Sequence, residues 1–398
     1  MVMGTASTMA IIAETLGLTV PFASSIPAPL AERLRSAEAS GHMAAAMAAS
    51  GTSLPGEIVS TAALRNAMVV LQAIGGSTNG IIHLAAIAGR AGHSIDLREF
   101  DRLGREVPVL VDLKPSGQHY MEHFHEAGGV PRLLAELTGF LDLDAPVIGG
   151  GRLGDRIMKR EDMHDQDVIR PLDRPVKAQG AMAVLYGNLC PRGAVIKHSA
   201  ASPNLMQHSG RAVVFDSVPD LVKRIDDPNL DVSADDVLVL RNAGPVGAPG
   251  MPEAGYIPIP RKLAMQGVKD MVRMSDARMS GTAFGTIVLH ISPEAACGGP
   301  LALVRDGDMI RLDVAARQVE LLVGETELEN RRAALRPAAE RPPRGYARLY
   351  HDHVMQADDG CDFDFLVAAA GPKGSIDEAA GGRVGAAAGG HDDDRQQP

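Results

Sequence analysis

From about residue 171 the chain breaks into eight short β-rich runs, and this punctuation limits its fold more than any other feature. The runs are "AMAVLYGNL", "GAVIKHS", "RAVVFDS", "DVLVLRN", "MVRMSDA", "TIVLHIS", "DMIRLDV" and "QVELLVG", set apart by Gly, Pro and Asp. Apolar, β-branched runs bounded by such residues predict strands. Asp306-Gly307 and Ala315-Ala316-Arg317 read as turns between paired strands. Helices are predicted at "SVPDLVKRIDD" and "IPRKLAMQGV". Eight strands with a few helices predict a barrel-like β domain over 171–365.

Residues 1–170 read differently, as mainly helical with one strand. Ser7 or Thr8 is placed to cap a helix ending at Leu16, with Gly17 as its stop. "LAERLRSAEA" and "HMAAAMAA" are strong helix formers. "STAALRNAMVVLQAI" and "STNGIIHLAAIAGRAG" share one plan of polar cap, apolar face and terminal Gly. "VPVLVDL" predicts a buried strand, and "PRLLAELTGFL" another helix. The fold class is therefore α/β. The last stretch, 366–398, is low in complexity and too poor in large apolar residues to order itself.

Composition excludes several functions. With no Trp and 3% aromatics the chain offers few platforms for stacked bases. A net charge of −10 without a basic stripe argues against nucleic acid as a partner. No apolar run approaches the roughly 20 residues a membrane helix needs. The first basic residue is Arg33, so a signal peptide is not expected. Cys190, Cys297 and Cys361 are odd in number and far apart, which suggests a reducing, cytoplasmic compartment rather than a disulfide framework.

Several loops hold candidate chemistry. "RNAGPVGAPGMPEAG" (241–255) is dense in Gly and Pro, so its shape is fixed and its backbone can approach a ligand; it carries Glu253. "SDARMSGTAFG" (275–285) sets Ser280 and Thr282 on a tight turn. "GGSTN" puts Ser77, Thr78 and Asn79 at a helix N-terminus, where free N–H groups favour an anion, although capping alone accounts for these residues. "DLKPSGQHY" places Lys114 and Ser116 after the predicted strand, where ligands sit in open α/β sheets. His119 and His123 are four apart, yet the pattern is not H-E-x-x-H, and a solvated helix face is the better reading.

Taken together, the phrases "MGTASTM", "GGSTNGIIHLAAIA", "VPVLVDLKPSG", "GAMAVLYGNLCPRGAVIK", "GPVGAPGMPEAG", "DARMSGTAFG" and "SPEAACGGPLALVRDGD" resemble, in order, the dihydroxy-acid dehydratase / phosphogluconate dehydratase family. "GYIPIPRKL", "ARMSGTAFG" and "CDFDFL" are most similar to its sugar-acid (arabinonate, xylonate) branch. The resemblance implies loss of water from a 2,3-dihydroxy acid, giving a 2-keto acid. It implies an iron–sulfur cluster as Lewis acid at the C3 hydroxyl and a magnesium ion holding the carboxylate and C2 hydroxyl. It matches the family's serine base to Ser280 and a magnesium-binding glutamate to Glu253. Residues 1–170 would be the later part of the family's N-terminal α/β domain.

The resemblance also sets expectations about what is lacking. The family's cluster cysteines, an acidic magnesium ligand and an Asp-Lys pair would precede Met1, so the chain reads as N-terminally shortened. Cys190, Cys297 and Cys361 match no cluster position. The isolated chain is then expected to be inactive, or to be a remnant or a subunit needing a separate N-terminal partner. The ligand expected is a small sugar acid or dihydroxy acid, and self-association into a homo-oligomer is the default.

Overall fold

The computed structural model describes residues 1–335 and 341–368. Of the expected tail, 369–398 lies outside the described residues. The helices of the first part are α1 (Thr5–Thr15), α2 (Ala31–Ser50), the single turn α3 (Pro55–Ile58), α4 (Thr61–Ile74), α5 (Asn79–Arg90), α6 (Leu97–Glu106), α7 (Met121–Glu126) and α8 (Gly129–Glu136).

α4 is the central rod of this part. Ser60 Oγ accepts from Ala63 N at 3.2 Å, and Gly75 ends the helix with φ at 63°. Ala63, Leu64 and every residue from Asn66 to Ile74 are buried, as expected of a helix wrapped on all sides. Gln72, polar at its middle, is fully paired. Its amide donates to the carbonyls of Phe100 and Met182 and accepts from Met182 N at 2.9 Å. This one side chain ties α4 to α6 and to the lead-in of the sheet.

Two expectations for this part change. α1 is capped at Gly4, not at Ser7 or Thr8. Ser7 sits at the third helical position and its Oγ accepts from Gly4 N at 3.0 Å. Thr8 donates to Gly4 O and accepts from Ser77 N at 3.0 Å, so it serves another helix start. "VPVLVDL" is buried and extended but joins no sheet. It makes only isolated bridges, Val109 to Lys177, Val111 to Ile169 and Leu113 to His119. Val109 N–H and Val111 N–H go to Lys177 O and Ala73 O instead of to a neighbouring strand.

All eight predicted strands form, and they lie in one sheet: β1 (Ala183–Leu185), β2 (Gly193–Ile196), β3 (Gln207–Phe215), β4 (Val237–Leu240), β5 (Arg273–Ser275), β6 (Ile287–Ser292), β7 (Met309–Asp313) and β8 (Gln318–Leu321). The order is β1-β2-β6-β5-β4-β3-β7-β8, and β3, β4, β5 and β6 run parallel. A bridge from Tyr186 to Gln318 brings the two edges together, so the sheet nearly closes as a barrel. Ala315-Ala316-Arg317 is the expected turn between the paired strands β7 and β8. Asp306-Gly307 leads into β7 but joins no paired strands, because β6 and β7 are not neighbours.

Parallel neighbours need crossovers. α9 (Val218–Arg224) links β3 to β4, and α10 (Arg261–Met265) lies between β4 and β5. Both pack on the outer face, where Leu221, Ile225 and Leu263 meet Val213, Phe215, Leu238 and Leu240. Val214, Val239, Met274 and Val288 fill the other face with Ile196, Ile310 and Val319. Two covered faces explain why β2, β4 and β6 are buried at every position instead of at alternate ones. Phe100, Phe124 and Phe215 are the aromatics among the largest fully buried side chains. Among the described residues, no helix is long and apolar enough to cross a membrane.

His290 departs from the sheet's regularity. It lies in β6 with φ at 56°, is buried, and its Nε2 has no hydrogen-bond partner among the described residues. Burial holds its imidazole down to about 3 from an ordinary 6.5, helped by Arg278 and His83. Folded protein therefore refuses a proton that the unfolded chain accepts below 6.5. The stability this gives is present above 6.5 and is lost as pH falls toward 3. At pH 5 the loss from this residue is about 2 kcal/mol. Urea denaturation at pH 7 and pH 5 checks it: His290→Gln should show a drop in stability smaller by about that amount. An unchanged drop would contradict the assignment.

Candidate active site

The Gly/Pro loop after β4 takes its shape from two buried acids. Asp276 accepts from the backbone N–H groups of Asn242 (3.1 Å), Ala243 (3.0 Å) and Ala295 (3.0 Å). Glu294 accepts from Val246 N at 2.9 Å, Gly247 N at 2.9 Å and Gln356 Nε2 at 2.8 Å. Burial pushes the Asp276 carboxyl up to about 6, with its backbone donors pulling the other way. Gly244 has to be glycine, since a Cβ there would stand 2.6 Å from Glu294 Oε2. Tyr350, on the helix Gly345–His353, closes the far side: its hydroxyl donates to Pro245 O at 2.9 Å and accepts from Gly250 N at 2.8 Å.

This loop delivers Glu253 to the start of α5. Asn79 Nδ2 donates to Glu253 Oε1 at 2.7 Å and to Thr5 Oγ1 at 3.0 Å. Thr5 Oγ1 and Ser77 Oγ are 3.0 Å apart, and Ser77 Oγ accepts from Asn79 N. Arg278 stands 3.7 Å from Glu253 and donates through Nε to Met251 O at 2.6 Å. The Asn79 side-chain carbonyl is buried with no partner among the described residues. Asn79, His83 and Arg278 line a cavity of about 250 Å³, closed by Met251, Tyr350 and Cys361. Burial, then Arg278, hold the His83 imidazole below its usual value, while Glu253 pulls it upward.

Ser280 lies on the loop from β5 to β6. Its Oγ pairs with Thr282 Oγ1 at 3.0 Å, which leaves a hydroxyl pair at the surface of the turn. The turn presses against the two other segments. A Cβ on Gly281 would meet Ser77 Cβ at 2.8 Å and the Gly4 carbonyl carbon at 3.1 Å, and one on Gly4 would meet Thr282 Cγ2 at 3.5 Å. Ser77, Asn79, Glu253, Ser280 and Thr282 are thus neighbours through direct contacts, although the chain separates Asn79 from Glu253 by 174 positions. Thr78 opens α5 without a side-chain capping bond.

Lys114 and Ser116 are placed otherwise. The Lys114 ammonium donates to Tyr120 Oη at 2.7 Å and lies over that ring, although its carbonyl accepts from Met3 N near the start of α1. Ser116 Oγ is buried without a partner among the described residues. His119 precedes α7 instead of sharing its face with His123, and it faces Asp167 at 3.3 Å.

The donor set bears on the metal groups the resemblance implies. Among the described residues, no three His, Cys, Asp or Glu side chains converge to hold a metal ion. Burial pushes Cys190 and Cys361 up to about 12 and Cys297 to about 11, so none is poised as the thiolate a cluster needs. These cysteines do not fit an iron–sulfur cluster. Glu253, with the free Asn79 carbonyl beside it, supplies the beginning of a magnesium sphere and not the six oxygens of a full one.

Asp276, Arg278 and Glu294 were not singled out from sequence, though each lies inside a quoted phrase, "SDARMSG" or "SPEAACGG". Thr5 and His83 were missed likewise; His83 follows Asn79 by one helical turn, a spacing that was open to reading. The close approach at Gly281 yields a prediction. Gly281→Ala should lower stability in urea denaturation by about 1–3 kcal/mol, because buried Ser77 has nowhere to move. Gly139→Ala, where a Cβ meets nothing within 4 Å, should stay near wild type. Equal midpoints for the two variants would refute the packing described.

Comparison with known proteins bears on the family. The model of the dihydroxy-acid/6-phosphogluconate dehydratase N-terminal region matches residues 1–156, and that of the C-terminal region matches 167–361. The chain is 50% identical over 371 residues to an L-arabonate dehydratase of Azospirillum brasilense, covering 91% of this chain and 63% of that protein. It is 49% identical to a 6-deoxy-6-sulfo-D-gluconate dehydratase of Pseudomonas putida, over 92% of this chain and 63% of the relative. A dihydroxy-acid dehydratase of Ignicoccus hospitalis is 40% identical, over 89% of this chain and 64% of its own. The chain thus spans 63–64% of the length of these curated relatives. With both family models matched in order along it, the chain belongs to the dihydroxy-acid/6-phosphogluconate dehydratase family.

Proposed function

We propose that this chain carries the base and one acidic anchor of a hydro-lyase site that dehydrates sugar acids to 2-keto acids. The observation that carries the reading is the meeting of Glu253, Asn79 and the Ser280 turn, with Asn79 itself lining a cavity. The sugar-acid branch is favoured because the relatives named for arabonate and sulfogluconate are 49–50% identical, against 40% for a dihydroxy-acid dehydratase.

In this reading Ser280 Oγ takes the C2 proton. The C2–H electron pair forms the C2=C3 bond, and the C3 hydroxyl departs with a proton as water. The enol then takes a proton at C3, loses its C2 O–H proton to water and becomes the 2-keto acid. A serine hydroxyl is a weak base, and its partner here is another neutral hydroxyl, that of Thr282. Its pKa has to be lowered by charge brought to the site before it can act at neutral pH. Glu253 and the Asn79 carbonyl present oxygens toward a cation, and Arg278 is a fixed positive charge next to Glu253. No step is assigned to a cluster or a magnesium ion, since the described residues do not complete a site for either.

A second reading has its own observation. The cysteines are held as thiols by burial, and among the described residues no set of side chains converges to hold the Lewis acid of this chemistry. Binding without turnover is then the behaviour of the chain alone, and a separate partner would have to supply the rest. Calorimetry with L-arabinonate in the presence of magnesium, together with an assay for 2-keto acid, tests both. The chain should bind the aldonate without forming product. Glu253→Gln should weaken binding about tenfold, which is about 1.4 kcal/mol, whereas Ser280→Ala should leave it unchanged. No heat from any aldonate would remove the proposal, and product formed by the chain alone would remove the second reading.

A further inference from the structure

A second cleft, of about 330 Å³, opens where α6 meets the closing edge of the barrel. Arg98, Asp101 and Arg105 line it from one face of α6, and Tyr186, Arg317 and Glu320 line it from the sheet side. None of these belongs to the candidate active site.

The charges here do not cancel. Asp101 accepts from Arg105 Nε at 3.0 Å, Arg317 Nε at 2.6 Å and Val184 N at 3.1 Å, so one carboxylate serves two guanidiniums. Arg98 lies 4.6 Å over the Tyr186 ring, and among the described residues its guanidinium has no hydrogen bond or ion pair. Glu320 accepts from Asn188 N at 3.3 Å. Three guanidiniums thus face two carboxylates, in a chain whose net charge is −10.

The arginines are also set in place before any ligand arrives. Arg317 adopts φ at 61° in the β7–β8 turn, a conformation that costs a non-glycine residue energy. There its carbonyl accepts from Tyr186 N at 2.9 Å, its Nη1 donates to Val314 O, and its Nε reaches Asp101. The contact with the Tyr186 ring holds the Arg98 guanidinium at the cleft. A planar fork with free N–H groups matches two oxygens of one tetrahedral anion, which a flexible ammonium does not.

We propose that this cleft binds a small phosphate-type oxyanion through Arg98, with Arg105 and Arg317 contributing their unspent donors. The ligand is free phosphate or the phosphoryl group of a small metabolite, both read by the same tetrahedral oxygens.

Titration calorimetry of the whole chain in low-salt HEPES tests this, with inorganic phosphate and glucose 6-phosphate as separate probes. One site per chain is expected. Arg98→Met, at an exposed position where folding is not at stake, should weaken binding about tenfold or more. Arg174→Met, an exposed arginine elsewhere, should not change it. Tighter binding of glucose 6-phosphate would identify a metabolite as the source of the anion, and equal or weaker binding would identify free phosphate. No heat from either probe, equal heat from Arg98→Met, or displacement of phosphate by saturating L-arabinonate would overturn the proposal. The last result would mean that the anion occupies the candidate active site instead.

Discussion

Two carboxylates buried beneath a loop hold the candidate site in place. Asp276 and Glu294 spend their charge on the backbone N–H groups of Asn242, Ala243, Val246, Gly247 and Ala295. A loop so rich in Gly and Pro makes no ladder of its own, and its buried amides would be costly if left unpaired. Gathering them on two acids gives the segment one conformation. That conformation presents Met251 to the cavity wall and sends Glu253 across to Asn79. The cavity, the Glu253 contact and the position of Arg278 all rest on this arrangement.

The sheet explains why the other loop arrives at the same place. β3 to β6 run parallel, so the chain leaves β4 and β5 at the same end of the sheet. The Glu253 loop follows β4 and the Ser280 loop follows β5. Ligands of parallel sheets gather outside the carboxyl ends of the strands, and here two such ends converge on the N-terminal turns of α1 and α5. From sequence the rule was applied to "VPVLVDL", which joins no sheet.

Much of the fold was legible because each strand is bounded by residues that cannot continue it, and all eight form. What could not be read was their order. The sequence neighbours β6 and β7 end far apart in the sheet, and β2 pairs with β6. The site was legible as separate phrases: Ser77, Asn79, Glu253, Ser280 and Thr282 do come together. Lys114 turns to Tyr120 instead, because an adjacent aromatic hydroxyl satisfies its charge locally. Asp276 and Glu294 escaped notice because an acid beside Ser or Pro looks like turn chemistry, and only the fold shows that its partners are amides on another loop. The cap of α1 was misplaced because Ser7 and Thr8 both look like caps, whereas Gly4 has no side chain to signal its role.

A helix start from the first part of the chain and a loop of the barrel are joined through Asn79 and Glu253. A double-mutant cycle on these residues, read by urea denaturation of Asn79→Ala, Glu253→Ala and the double variant, tests it most directly. The structure predicts a coupling of about 1 kcal/mol or more, as expected for a hydrogen bond to a charged acceptor at a partly exposed position. Additive effects, with no coupling beyond about 0.3 kcal/mol, would contradict it.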